Sequence, residues 1–279
     1  MRACASNPGL RSIFIRSAAR AASFALLLAA AHAQAQFAAF VLPARFELTA
    51  KPGENLQNIL EIGNDEAGPV EFRLRTADWK LREDAGVEFQ VDTLAPDSCR
   101  PWVKLERYTI KLGGKAKRRF RFEVQVPADA QPGLCRFALL VESAQDAGVI
   151  SPLESIRVPL QGRIGVIVYV RIGDARPDLV FERIESRNLN GLMTPVAIFT
   201  NKGNAHGRPQ GLLYGSDSKG TEIDFTVSPL PILPGETRGV PIWPQDSAER
   251  RPVSLVPSYK LKGVIEWEGG KREIDITVR

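Results

Sequence analysis

The chain has 279 residues, of which 44% are apolar and 25% charged, with a formal net charge of +5, three cysteines and two histidines. Four of its arginines and none of its acids fall in the first 35 residues, so without that stretch the net charge is +1. Bulk attraction to nucleic acid or to an anionic membrane therefore has little support, and a Cys/His metal centre lacks ligands.

Arg2, Arg11, Arg16 and Arg20 form a basic lead, Ala21 to Ala31 is an apolar run too short to span a bilayer, and "AQA" at Ala33 to Ala35 is a small-x-small cleavage site. Residues 1–35 thus read as a secretory signal peptide. No later segment approaches about 18 consecutive apolar residues, so the exported chain is expected to be soluble or peripheral. Cys4 leaves with the leader. Cys99 and Cys135, alone in an exported chain, are expected to form one disulfide, worth about 3–4 kcal/mol in the chain-entropy picture.

Beyond the leader nearly every segment alternates with period two and is bounded by Gly, Pro, Asn or Asp at intervals of roughly 8–12 residues, the pattern of an immunoglobulin-like sandwich. "NILEIGNDEAGPVEFRL" (Asn58 to Leu74) and "PVAIFTNKGNAHGRPQGLLY" (Pro195 to Tyr214) share a layout: alternation ending in an asparagine, Asn64 or Asn201, then a turn and a second strand. "YTIKLGGKAKRRFRFEVQVP" and "LPILPGETRGVPIWP" echo each other as strand, glycine turn and strand. The fold class is all-β: two immunoglobulin-like β-sandwich domains in tandem. The first is expected over residues 36–172 and the second over 173–279, with "GDARPD" as hinge. Trp79 is a candidate core tryptophan on the third strand.

"SIRVPLQGRIGVIVYVRI" (Ser155 to Ile172) has an apolar residue at every even position except Gly162. Fully extended it would reach ~59 Å, far beyond an ordinary strand. Ile164, Val166, Val168 and Val170 are assigned to the protein's own core. Pro159 suits an edge rather than a central strand. Ile156, Val158 and Leu160 remain as apolar surface without an internal cover, and an edge strand with alternating side chains is what strand addition between chains requires.

Catalysis finds little to build on. His206, the only histidine after the leader, lies in a turn and reads as structural or solvated; a hydrolase would have to use it, and there is no GxSxG elbow. Glu83-Asp84 and Asp65-Glu66 sit in turns without calcium-loop spacing, and no phosphate-cradling glycine loop precedes a helix. Neither catalytic residues, a metal nor a cofactor is expected. In "KLGGKAKRRFRF" the residues Lys115, Lys117, Arg118 and Arg119 form a basic run, read either as edge gatekeepers or as a docking patch for an acidic partner. Nucleic acid is not expected, since no exposed aromatics are interleaved.

With these residues in view, the chain resembles the periplasmic chaperones of the chaperone–usher pilus pathway. The likeness lies in "PGENLQNILEIGND", "VPADAQPGLCRFALLVE" and "SIRVPLQGRIGVIVYV". It implies a periplasmic, non-enzymatic protein whose two immunoglobulin-like domains sit at an angle. Its partners would be pilus or fimbrial subunits and an outer-membrane usher. The subunit would be capped by the donor positions Ile156, Val158 and Leu160. Family members anchor the subunit's carboxylate with an Arg from the first strand and a Lys near the end of the donor strand. Here Gly165 stands at the position of that Lys, and Arg163 and Arg45 are the substitute anchors. "AQDAGVISPLE" would be a short loop before the donor strand, and the exposed edge could also pair with a second copy. The alternative reading is an exported two-domain adhesion or scaffold module that uses its loops or its basic run.

Overall fold

The computed structural model describes residues 39–144, 147–150, 157–160, 162–255 and 258–278. The leader and Ile156 lie outside the described residues, and Val158 and Leu160 are given as strand backbone. In chain order the strands of the first domain are β1 (Ala39–Leu42), β2 (Arg45–Ala50), β3 (Asn55–Asn64), β4 (Val70–Leu81), β5 (Val87–Gln90), β6 (Val103–Leu105), β7 (Thr109–Leu112), β8 (Lys117–Gln125), β9 (Gly133–Ser143), β10 (Ala147–Ile150), β11 (Arg157–Leu160) and β12 (Arg163–Ile172). Those of the second are β13 (Leu179–Leu189), β14 (Leu192–Asn201), β15 (Leu212–Ser216), β16 (Glu222–Val227), β17 (Thr237–Asp246), β18 (Tyr259–Trp267) and β19 (Gly270–Val278). One three-residue 3-10 turn, Arg100–Trp102, is the only helical element among the described residues.

The first domain is a sandwich of the sheets β1-β3-β8-β6 and β2-β12-β9-β4-β5, with β7 also on β4. Alternation decides what faces inward. Phe72 and Leu74 of β4, Phe120 and Phe122 of β8, Phe137 and Leu139 of β9, and Val166, Val168 and Val170 of β12 meet in one core. Each such side chain contributes about 1.5–3 kcal/mol on burial. Cys99, beside the 3-10 turn, is bonded to Cys135 of β9, as the cysteine count led one to expect.

The second domain is one seven-stranded ladder, β13-β14-β17-β16-β15-β18-β19, around its own core of Phe199, Phe225, Ile242, Tyr259 and Leu261. Six residues, Gly173 to Asp178, separate β12 from β13.

The sequence echo between Asn64 and Asn201 is a shared hydrogen-bond device. Asn64 is buried at the end of β3; its Nδ2 donates to the carbonyls of Gly68 and Gly113, and its Oδ1 accepts from the Glu66 amide. Asn201, buried at the end of β14, donates Nδ2 to the carbonyls of Ala205 and Ile232 and accepts from the Gly203 amide. In both domains one side chain satisfies its own turn and ties it to a connecting segment farther along the chain, at Gly113 or Ile232. Two departures from expectation follow from packing. Trp79 is buried on β4 but not between the sheets: it lies on the outer face of its sheet with Ala77, Ala138, Leu140 and Tyr169. The segment read as a loop before the donor strand contains β10, which pairs antiparallel with β11 so that Val149 faces Val158.

Replacing Asn201 with Ala removes the side-chain partner of the Ala205 carbonyl and the Gly203 amide and leaves the Ile232 carbonyl with the Gly207 amide alone, so urea unfolding should give a loss of about 2–3 kcal/mol, against less than about 0.5 kcal/mol for the exposed control Lys219→Ala.

Candidate functional site

β12 pairs with β9 along its whole length, from Arg163 opposite Glu142 to Ile172 opposite Gly133. On its other side β2 runs parallel only from Arg45, opposite Ile167, to Ala50, opposite Ile172. Upstream of Arg45 the chain crosses to the other sheet, where β1 pairs with β3. Arg163 to Val166 therefore has no strand on its second side among the described residues. Among the described residues β11, in the same hairpin, pairs with β10 alone. The result is an open strand edge running along β11 and the first part of β12, floored by the half-buried Ile164 and the fully buried Val166.

The outer side of this edge explains Gly165. The Phe89 ring of β5 lies directly over it, and a Cβ at Gly165 would come within 2.0 Å of the ring. No lysine fits there while Phe89 holds that place. Two residues away Arg163 is already engaged: its Nε lies 2.5 Å from Glu142, a carboxylate only 5% exposed that Arg75 also grips at 2.9 Å. Two guanidiniums share one carboxylate, which leaves a local surplus of one positive charge at that end of the edge. Arg45, the other anchor candidate, lies across from Ile167 and pairs with Glu47 at 3.0 Å. Arg163 and Arg45 thus stand at opposite ends of the unpaired stretch, each with its own glutamate.

Glu47 is the hub of the contact between the domains. His206 Nε2 lies 3.0 Å from one carboxylate oxygen and Arg208 3.2 Å from the other, both reaching over from the second domain. The His206 ring stacks on Tyr169 of β12 at 4.1 Å, and the Arg208 guanidinium stands 5.2 Å above the same ring. His206 is 7% exposed, which agrees with a structural role for a turn histidine. Burial alone would raise the Glu47 carboxyl; the hydrogen bond and charge of His206, with Arg208 and Arg45, outweigh it and hold Glu47 below its ordinary value. Further ties join the domains: Arg171 forms a bidentate pair with Glu268 at 2.8 and 2.9 Å, Arg238 donates to the carbonyls of Leu81 and Arg82, and Asn204 Nδ2 donates to the Pro132 carbonyl at 3.3 Å. Leu233 of the second domain packs against the outer cluster around Trp79.

The basic run is partly spoken for. Lys117 pairs with Glu61 at 3.3 Å and covers the Phe40 ring, and Lys115 Nζ donates to the Asp65 carbonyl at 2.5 Å. Arg118 and Arg119 have no ion pair among the described residues and remain exposed. No cluster of His, Cys, Asp and Glu able to hold a metal occurs among the described residues.

The contacts of Glu47, Tyr169, Arg208 and Phe89 were invisible in the sequence. Each occupies an ordinary outward position of an alternating strand or turn, and its partner lies far away in the chain. Only the solitary His206 gave a signal.

No protein-family model and no curated protein matches the chain. Among solved structures it is similar to the E. coli chaperone DraB, with TM-score 0.42 and 14% identity over 87% of this chain and 97% of that one. The Pseudomonas aeruginosa chaperone CupB2 gives TM-score 0.41 and 10% identity, covering 84% and 97% of the two chains. The Salmonella enterica complex of the SafA pilin with the SafB chaperone gives TM-score 0.45 and 9% identity, covering 88% and 99%.

Gly165→Lys should cost about 1–3 kcal/mol through overpacking against Phe89, and much less in a Phe89→Ala background, read as a double-mutant cycle in urea. Because Glu47 is held below its ordinary value, its contact is fully present above that value and fades as pH falls through the lowered one. The stability gap between the protein and Glu47→Gln should therefore be largest near neutrality and close in acid, measured by thermal melts across pH.

Proposed function

We propose that the protein is a periplasmic chaperone that binds and caps pilus or fimbrial subunits by strand donation, with Ile156, Val158 and Leu160 as the donated side chains. The observation that carries this reading is the open edge along β11 and Arg163 to Val166, on a strand whose downstream half is built into the core. An unpaired ladder edge beside an apolar floor recognises an extended polypeptide: backbone groups supply affinity and alternating side chains supply selectivity. Burying three such side chains would contribute roughly 5–9 kcal/mol before costs.

The same reading gives the chain an exported location, the outer-membrane usher as a second partner, and self-association through the edge when no subunit is bound. Arg163 and Arg45 are proposed to anchor a subunit carboxylate, with Arg163 favoured by the surplus charge it shares with Arg75 over Glu142. It also makes the protein a binding partner rather than an enzyme.

Replacing Val158 and Leu160 with Asp should abolish recovery of a soluble 1:1 complex with a co-expressed subunit while the free protein still folds. Undiminished complex would overturn the reading. Charge reversal at Lys117, Arg118 and Arg119 should leave the complex intact; loss of binding there instead would favour the adhesion or scaffold alternative.

A further inference from the structure

The open edge of β12 ends where β2 begins, and β2 is held from both domains. Any strand added along Arg163 to Val166 meets Arg45 at the next register position, because Arg45 is already opposite Ile167. To extend further, it would have to peel β2 away. Phe46 and Leu48 face inward against the core, and Ala50 is buried. Those apolar contacts are local and would tolerate exchange for equivalent side chains of an incoming strand.

Glu47 is different. Its carboxylate accepts from His206 and Arg208, which belong to the second domain, as well as from Arg45. The loop that carries His206 cannot follow an outward movement of β2. The Ala205 amide is bonded to the Arg176 carbonyl, Gly207 is bonded in both directions to Ile232, and Asn201 clamps the turn from inside. Peeling β2 would leave the buried His206 and the half-buried Arg208 held against Tyr169 without their carboxylate.

We infer that the two-domain grip on Glu47 is an end stop: it fixes how far a strand added to the open edge can run, and so selects clients by strand length and register. This rests on the strand-addition reading, and it assigns Glu47, His206 and Arg208 a positioning role that the edge itself does not supply. The coupling is reciprocal: a strand long enough to displace β2 loosens the domain contact, and a weakened contact admits a longer strand.

The test uses two fluorescein-labelled peptides that alternate valine with threonine and carry a lysine tag, ten and fourteen residues long, titrated into the full protein by anisotropy. Hydrogen exchange of the Phe46 to Leu48 amides is followed in parallel. In the unaltered protein both peptides should bind within about twofold of each other, with the β2 amides still protected. In Glu47→Gln combined with His206→Phe, which keeps a ring on Tyr169, the longer peptide should bind at least fivefold more tightly than the shorter, with loss of β2 protection. Arg208→Gln should act in the same direction and guards against a folding defect in the double variant. A fivefold gain for the longer peptide in the unaltered protein, or equal binding of both peptides in the variants while the shorter one still binds, would overturn the end stop alone. Failure of either peptide to bind the unaltered protein would overturn the strand-addition reading and the end stop with it.

Discussion

β2 has six residues and β12 has ten, so parallel pairing between them runs out at Ile167. The chain cannot cover the rest, because the residues before Arg45 are committed to the opposite sheet as β1. A strand with one side satisfied and the other half open is an unstable arrangement unless its side chains are secured elsewhere. Val166, Val168, Val170 and Ile172 do this by filling the space between the sheets. The core thus holds in place an edge that its own hydrogen bonding leaves incomplete.

The sheet that carries this edge is buried on both faces, which is uncommon for a sandwich. β9 shows why: Phe137, Leu139 and Val141 point into the core, while Ala138 and Leu140 point outward beneath Trp79, Tyr169 and the strap from β5 to the 3-10 turn. The disulfide fastens the end of that strap to β9, and Arg136 reinforces it by bonding Asp97 and resting on the Trp79 ring. Phe89 is therefore not free to leave Gly165. The outer layer that begins with Phe89 ends with Leu233, His206 and Arg208, so the covering of the first domain and the contact with the second are one continuous surface.

Period-two alternation was enough to read the all-β class, the tandem arrangement and the inward positions of β12, and the cysteine count was enough for the disulfide, because each of those is a local pattern or a count. The shared layout around Asn64 and Asn201 was legible for the same reason, since each asparagine closes a strand and opens a turn; their distant acceptors at Gly113 and Ile232 left no mark in it. What escaped was every relation that depends on which outward faces meet. Trp79 has the right spacing for an inter-sheet residue, and only the strap folded over the opposite face reveals its real surroundings. Glu47 is one acid in "RFELTA", with nothing in the chain nearby to connect it to His206 about 160 residues later. Gly165 looked like a missing lysine and is better described as the seat of a phenylalanine.

The twin asparagines bear on the order of assembly. Asn64 finds all its acceptors between Gly68 and Gly113, and Asn201 finds its own between Ala205 and Ile232, so each sandwich closes its turns from material within its own boundaries. A chain that emerges from its N-terminus can complete the first sandwich, unfinished edge included, while the second is still unformed. During that interval β2 lies on β12 without its far-side grip. The Glu47 contact can close only once the second sandwich has formed, together with the other ties between the domains, and with it the two halves become one molecule.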